Sequence, residues 1–314
     1  MVAPSRKLGF VRTTPPGRIE QDSRKADTRG YCDQDGRPRR SPNSPVARQA
    51  RAIKQDRIGS GKSFVQVRRG DFTSHGVSSI LPGSICGAGA VEQDTLSELE
   101  TTALLQARSW GAIRLLTQFA LRTEDYDPEA PHARGTSSIA EHLGHKHPRV
   151  GIGKAIMTTD LVATAPTGEK VPFFVRYERD LPEKESRQAE LLQIASDYWR
   201  DRGTRLVLYT ERWCASELKV QLLWAAEGLA AVKEECPAFL AFLARTPGAG
   251  SLLDRLSPWG PGFSDALRHF KRAVAVGRVA IQPSQLPPTI HQPIKFRVRT
   301  QLELDHLLLG RVSS

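Results

Sequence analysis

Cysteine is scarce in this 314-residue chain, and its four copies, Cys32, Cys86, Cys214 and Cys236, share no CxxC or Cys/His spacing. That pattern excludes a disulfide framework and a cysteine-based zinc site, and it suits a reducing, cytoplasmic setting. Long apolar runs are also missing: no stretch approaches the ~18 residues of a membrane span. The opening MVAPSRKLGF has no apolar core of the kind a secretory signal needs. No internal repeat is visible. What the chain has in excess is positive charge, 45 Lys and Arg against 34 Asp and Glu, for a net +11. With 39% hydrophobic residues there is enough apolar side chain to bury a core, and the length allows about two domains.

The charge is uneven. Residues 1–75 carry 17 Lys and Arg against 7 Asp and Glu, so nearly all the net charge lies in the first quarter. Such a footprint points to a polyanion, because Lys and Arg gain affinity by releasing phosphate counterions. Residues 1–45, rich in Pro and Arg (TTPPGR, DGRPRRSPNSP), are expected to be a disordered basic tail. A short basic helix is expected over 46–57 (VARQARAIKQDR), followed by the loop IGSGKS. That loop is not a phosphate-binding Walker loop. The motif needs Gly five residues before Gly61, where Asp56 stands, and it follows a strand rather than a basic helix.

Further along, the pattern predicts a helix over 94–110 opened by Asp94 or Thr95, an apolar stretch from Ile113 to Leu121, and a hairpin. The hairpin arms are 155–164 and 171–177, turning through Pro166 and Gly168. A helix over about 183–201 follows, with Gln188, Leu191, Leu192, Ala195, Tyr198 and Trp199 on one stripe, and then a short strand at 205–210. The order helix, strand, strand, helix, strand is a mixed α/β core. A helical stretch over 215–245 leads out of it. The last 65 or so residues hold a basic helix (FSDALRHFKRAVAVG), two candidate strands (VAIQP, PIKFRV) and a Pro-rich connection. The division expected is 1–45, 46–224 and 225–314.

Three residues stand out chemically. Glu100 interrupts an apolar stripe formed by Leu96, Ala103, Leu104 and Ala107, and a carboxylate turned inward needs a cation or an Arg such as Arg108 or Arg114. Asp160 lies in a strand otherwise made of apolar and hydroxyl residues (MTTDLVA), where Asp is depleted. Arg176 lies in the facing arm among Phe173, Phe174, Val175 and Tyr177, and a cation there wants an anion: Asp160 or a phosphate. Acids that converge in this way suit hydrolysis of a phosphodiester, where a divalent cation neutralises charge and activates water. Taken singly, each residue also has a structural explanation as an ordinary ion pair or strand-edge residue.

From about 47 to 224 the chain resembles the TnsA endonuclease family, in several segments that follow that family's order. ARQARAIKQDRIGSGKS resembles its basic opening, LSELE the segment ending in a metal-binding Glu, and QFAL (118–121) and KHP (146–148) its connecting segments. MTTD resembles the segment that ends in its catalytic Asp, and YW (198–199) with RLVLYTER its later helix and strand. The resemblance implies a restriction-endonuclease-like mixed-sheet core and a smaller, winged-helix-like C-terminal domain. It implies Mg²⁺ or Mn²⁺ held by Glu100 and Asp160, with Arg176 where the family has Lys and Phe174 where it has Gln. Arg keeps the charge but cannot give up a proton. A shifted register would bring Glu178 near the site instead, and a further helical Glu of the family is replaced by Ala195. DNA contacts fall to Arg48, Arg51, Lys54, Lys62, Lys146 and His147. The implied role is to cut the 5′ strands at the ends of a cut-and-paste transposon, with double-stranded DNA, a TnsB-like DDE transposase and a TnsC-like ATPase as partners, among the nucleoid-associated proteins of a bacterium. The alternatives are a catalytically degenerate subunit of the same complex, and a basic DNA-binding regulator that uses only its winged-helix-like end.

Overall fold

The computed structural model describes residues 79–81, 83–86, 93–95, 97–127, 129–150, 153–246, 250–281 and 289–313. The expected basic tail, the 46–57 helix and the IGSGKS loop lie outside these, and with them Arg48, Arg51, Lys54 and Lys62. A short antiparallel pair, β1 (Ser79–Leu81) and β2 (Gln93–Thr95), brackets α1 (Gly83–Cys86) and leads into α2 (Glu98–Ser109). The cap of α2 is Ser97, not Asp94 or Thr95: its hydroxyl accepts from Glu100 N at 3.1 Å. Asp94 and Thr95 are extended in β2, so neither can cap, and Ser97, two residues past the strand, does.

The run from Ile113 to Leu121 holds a strand, β3 (Arg114–Ala120), buried along almost its whole length. It precedes α3 (Thr136–His142), a small β4–β5 pair (Arg149–Val150, Gly153–Lys154) and the hairpin β6 (Thr158–Thr164) and β7 (Lys170–Val175). Gly168, at φ +90, makes the turn that returns the chain. α4 (Arg187–Arg200) then crosses over to β8 (Val207–Tyr209). α4 begins later than 183 because Glu183–Ser186 forms a turn after Pro182, and Ser186 caps the helix at Ala189 N, 3.2 Å away. The sheet order is β3-β6-β7-β8, with β3, β6 and β7 antiparallel and β8 parallel to β7. The molecule is therefore mixed α/β around a mixed four-stranded sheet.

Two apolar layers hold this sheet. Leu115, Leu161, Phe173 and Tyr209 pack toward Leu104 of α2 and on to α5 (Ser216–Ala231). Leu116, Phe119 and Val162 pack toward Ile194, Ala195, Tyr198 and Trp199 of α4. The indole of Trp199 donates to Thr159 Oγ1 at 2.8 Å, which satisfies the polar edge of a buried ring.

The helical stretch expected over 215–245 is two helices, α5 and α6 (Pro237–Arg245), separated before Pro237, which opens the second. After α7 (Leu252–Leu256) and α8 (Phe263–Ala275), β9 (Val279–Ile281) pairs antiparallel with β10 (Phe296–Val298), and α9 (Gln301–Ser313) follows. Residues 224 and 225 both lie inside α5, and one apolar core runs from Leu104 through Leu222 to Phe270. α5 and α8 approach so closely at Gly228 that a Cβ there would meet Arg272 N at 2.2 Å. Among the described residues no helix is long and apolar enough to cross a membrane.

Candidate functional site

β6 and β7 pair from Thr164↔Lys170 to Leu161↔Phe173, and there the ladder ends. Beyond it β7 turns to its parallel partner: Val175 faces Tyr209, and Arg176 N donates to Tyr209 O at 3.1 Å. The side chain of Asp160 fills the gap between the parting strands. Its Oδ2 accepts from Val175 N at 2.9 Å, in place of a backbone carbonyl, and from Arg176 Nη1, also at 2.9 Å. Arg176 Nη1 donates as well to Val175 O at 2.6 Å, and its guanidinium lies 4.4 Å from the Phe174 ring centroid.

The pair is asymmetric: the side chain of Asp160 is 8% exposed and that of Arg176 40%. Burial pushes the Asp160 carboxyl above its ordinary range, against the opposing pull of Arg176, the Val175 N–H and Gln118. A carboxylate held this way demands positive charge, and the guanidinium supplies it from the solvent side.

Gln118 escaped the sequence reading, where QFAL read only as a connecting segment. The pairs Thr117↔Leu161 and Phe119↔Thr159 place it directly opposite Asp160. Its φ is +50, the one non-glycine in the left-handed region among the described residues. Side chains along a strand alternate faces, yet Leu116 and Phe119, three apart, both join the layer under α4. Thr159 and Val162 do the same on β6. The alternation slips in both strands at the level of Gln118 and Asp160. The one sequence signal was a polar amide inside the apolar run RLLTQFAL.

Glu100 lies in the first turn of α2, only 5% exposed, while its neighbour Glu98 faces solvent and meets Lys219 Nζ at 2.5 Å. α2 packs against β6 and β7, the strands that carry Asp160 and Arg176. Glu178, the shifted-register candidate, lies past the end of β7 in a 3-10 turn and pairs with Arg212 at 2.5 Å. The strand ends before it, so no register of β7 brings it into the sheet. Ala195 is buried on α4.

A pocket of about 300 Å³ opens beside the pair, lined by Thr158, Phe174, Arg176, Asp180, Leu191 and Ala195. Across Pro148 it adjoins an open groove of about 1120 Å³ lined by Lys146, His147, Arg149, Lys154, Arg187 and Glu190. Lys146 is exposed there. His147 donates from Nδ1 to Pro148 O at 2.9 Å, and its Nε2 lies 2.9 Å from Thr136 Oγ1. Burial pulls its pKa down, against the opposing pull of the Pro148 carbonyl.

For a magnesium ion the donor set fits in part. Asp160 and Glu100 are buried carboxylates of the right kind, but Phe174 offers no ligand and a guanidinium already sits on Asp160. Among the described residues no three His, Cys, Asp or Glu side chains converge as a metal-binding group. In comparisons with known proteins, no family model matches this chain, and no curated protein matches it.

Proposed function

We propose that this chain acts on double-stranded DNA as a TnsA-type subunit, the endonuclease that opens the 5′ strands at transposon ends beside a DDE transposase and an ATPase. The observation that carries this reading is Asp160, held where β6 and β7 part with Arg176 reaching it from the next strand. An acid on the second strand of a meander and a cation on the third, backed by an acidic helix, is the arrangement the TnsA resemblance implies. The succession α2, β3, β6, β7, α4, β8 agrees with a restriction-endonuclease-like core. α8 with the β9–β10 pair agrees with a winged-helix-like end.

In this reading the groove at Lys146, Arg149, Lys154 and Arg187 follows a phosphate backbone and brings one phosphate to the mouth of the pocket. Arg176, half exposed, turns its free guanidinium face to that phosphate while Asp160 fixes its position. A divalent cation, where one is bound, supplies charge neutralisation and an activated water; Glu100 and Asp160 are the carboxylates this chain offers it. Arg176 holds charge and moves no proton.

One observation favours a second reading, a DNA-holding subunit that cuts poorly: the guanidinium on Asp160 stands where a metal-dependent nuclease needs its ion. The test is cleavage of an end-labelled transposon-end duplex with Mg²⁺, with and without the transposase and ATPase. Nicking at the 5′ strand supports the endonuclease. Tight binding of the duplex without nicking, unchanged by Arg176→Lys, supports the holding role, and neither binding nor nicking contradicts both.

A further inference from the structure

We propose that Gln118 is a positioning residue, held in a strained backbone conformation so that its amide fixes the carboxylate of Asp160. The inference rests on the reading of Asp160 as the working acid. Three observations carry it. First, Gln118 adopts φ +50 in the middle of a buried strand, a conformation that costs a side-chain-bearing residue energy and persists only where the surroundings impose it. Second, it stands directly across from Asp160, at the level where the side-chain alternation of both strands slips. Third, it is 3% exposed and its amide is half used: Oε1 accepts from Thr158 Oγ1 at 3.1 Å, whereas Nε2 completes no hydrogen bond.

That orientation has a reason. With Oε1 on the Thr158 hydroxyl, Nε2 is left to face the carboxylate of Asp160 across the strand pair. The reversed amide would set an oxygen against that carboxylate. A buried donor left open beside a working acid is unusual, since such groups are nearly always satisfied. Directly opposed residues of antiparallel strands share a face, so the register brings the amide beside the carboxylate, and the left-handed residue sets its final direction.

The experiment uses the full chain with Gln118→Gly, Gln118→Ala, Gln118→Leu and Gln118→Asn. Strain is read from melting temperature. In an ordinary strand Gly is no more stable than Ala, but here Gln118→Gly should melt about 2–4 °C above Gln118→Ala. Positioning is read from a thermal double-mutant cycle with Asp160→Asn: Gln118→Leu should lower the melting temperature more in the native background than in the Asp160→Asn background. On end-duplex DNA, kcat should fall about 10- to 100-fold in Gln118→Leu with KM unchanged, and Gln118→Asn should recover part of the loss. An additive cycle overturns the proposal, as does unaltered kcat in an active enzyme. If the native chain cuts no DNA, the functional reading fails on its own, and the cycle still decides the role of Gln118.

Discussion

Two buried aspartates in this molecule are each paired with an arginine, and they are built for different ends. Asp127 meets Arg202 Nε at 3.0 Å and Nη2 at 2.9 Å, and its other oxygen accepts from Glu129 N at 3.1 Å. Arg202 donates its remaining face to Arg134 O and Tyr198 O and stacks 3.5 Å from the Tyr198 ring centroid. Both side chains are about 10% exposed, with 10% for Arg202 and 9% for Asp127. Every donor and acceptor has a partner, and the result ties the loop after β3 to the end of α4. Asp160 and Arg176 share the same chemistry without that completeness: the arginine is 40% exposed, the nearby Gln118 Nε2 is open, and a pocket adjoins them. A finished ion pair is structure, whereas one left open to solvent on its cationic side is available to an anion.

The comparison is broken most severely at the finished pair. Arg202→Ala removes both hydrogen bonds to Asp127 Oδ2, leaving only Arg122 Nε 3.7 Å from the other oxygen, and should cost about 3 kcal/mol in chemical denaturation. Arg176→Ala should cost clearly less, because its guanidinium is already half in water and Val175 N–H still serves the carboxylate. Equal losses at the two sites would erase the distinction.

A smaller effect separates the aspartates by pH. The folded-state pKa of Asp160 is raised by burial, so the native chain binds a proton more tightly than the unfolded one. That contribution is fully present below the ordinary Asp value of about 3.9 and is lost as pH rises through the raised folded value. Asp160→Asn should therefore melt higher than the native protein at neutral pH, with the gain shrinking to nothing in acid. Asp127→Asn, which removes a satisfied charge, should melt lower at neutral pH. The thermal melts at pH 3.5 and pH 7.5 decide.

The smallest expected effect lies in the groove. Lys146→Ala should reduce the slope of log affinity against log salt for duplex DNA by about 0.9, one phosphate contact. His147→Ala should leave that slope unchanged at pH 7.5, since burial lowers the His147 pKa from its ordinary value of about 6.5 and the ring is neutral there. An equal change for both would place a charged histidine on the DNA.

Much of the core was legible because its elements obey simple periodicities. The β6–β7 hairpin announced itself through arms filled with β-branched and aromatic residues and a turn at Pro166 and Gly168, and α4 through its apolar stripe. β3 was harder: it is buried on both faces, so its largely apolar run left no alternation to mark it as a strand. The cap of α2 was misplaced because nothing local shows that Asp94 and Thr95 are taken up by pairing with β1. At the site, Asp160 and Arg176 stood out as charges in apolar strands. Gln118 did not, because its importance lies in a backbone angle and in a partner 42 residues away in sequence. Glu178 illustrates the opposite case, a residue that a shifted register made attractive until the end of β7 excluded it.

The most direct test pairs the two aspartates in one assay: Mg²⁺-dependent cleavage of a transposon-end duplex, per folded molecule, by the native chain, Asp160→Asn and Asp127→Asn in the presence of the partner transposase. The account predicts that Asp160→Asn abolishes 5′-strand cleavage while melting no lower than the native protein, and that Asp127→Asn loses stability but cuts normally once folded. Cleavage by Asp160→Asn at the native rate would contradict it.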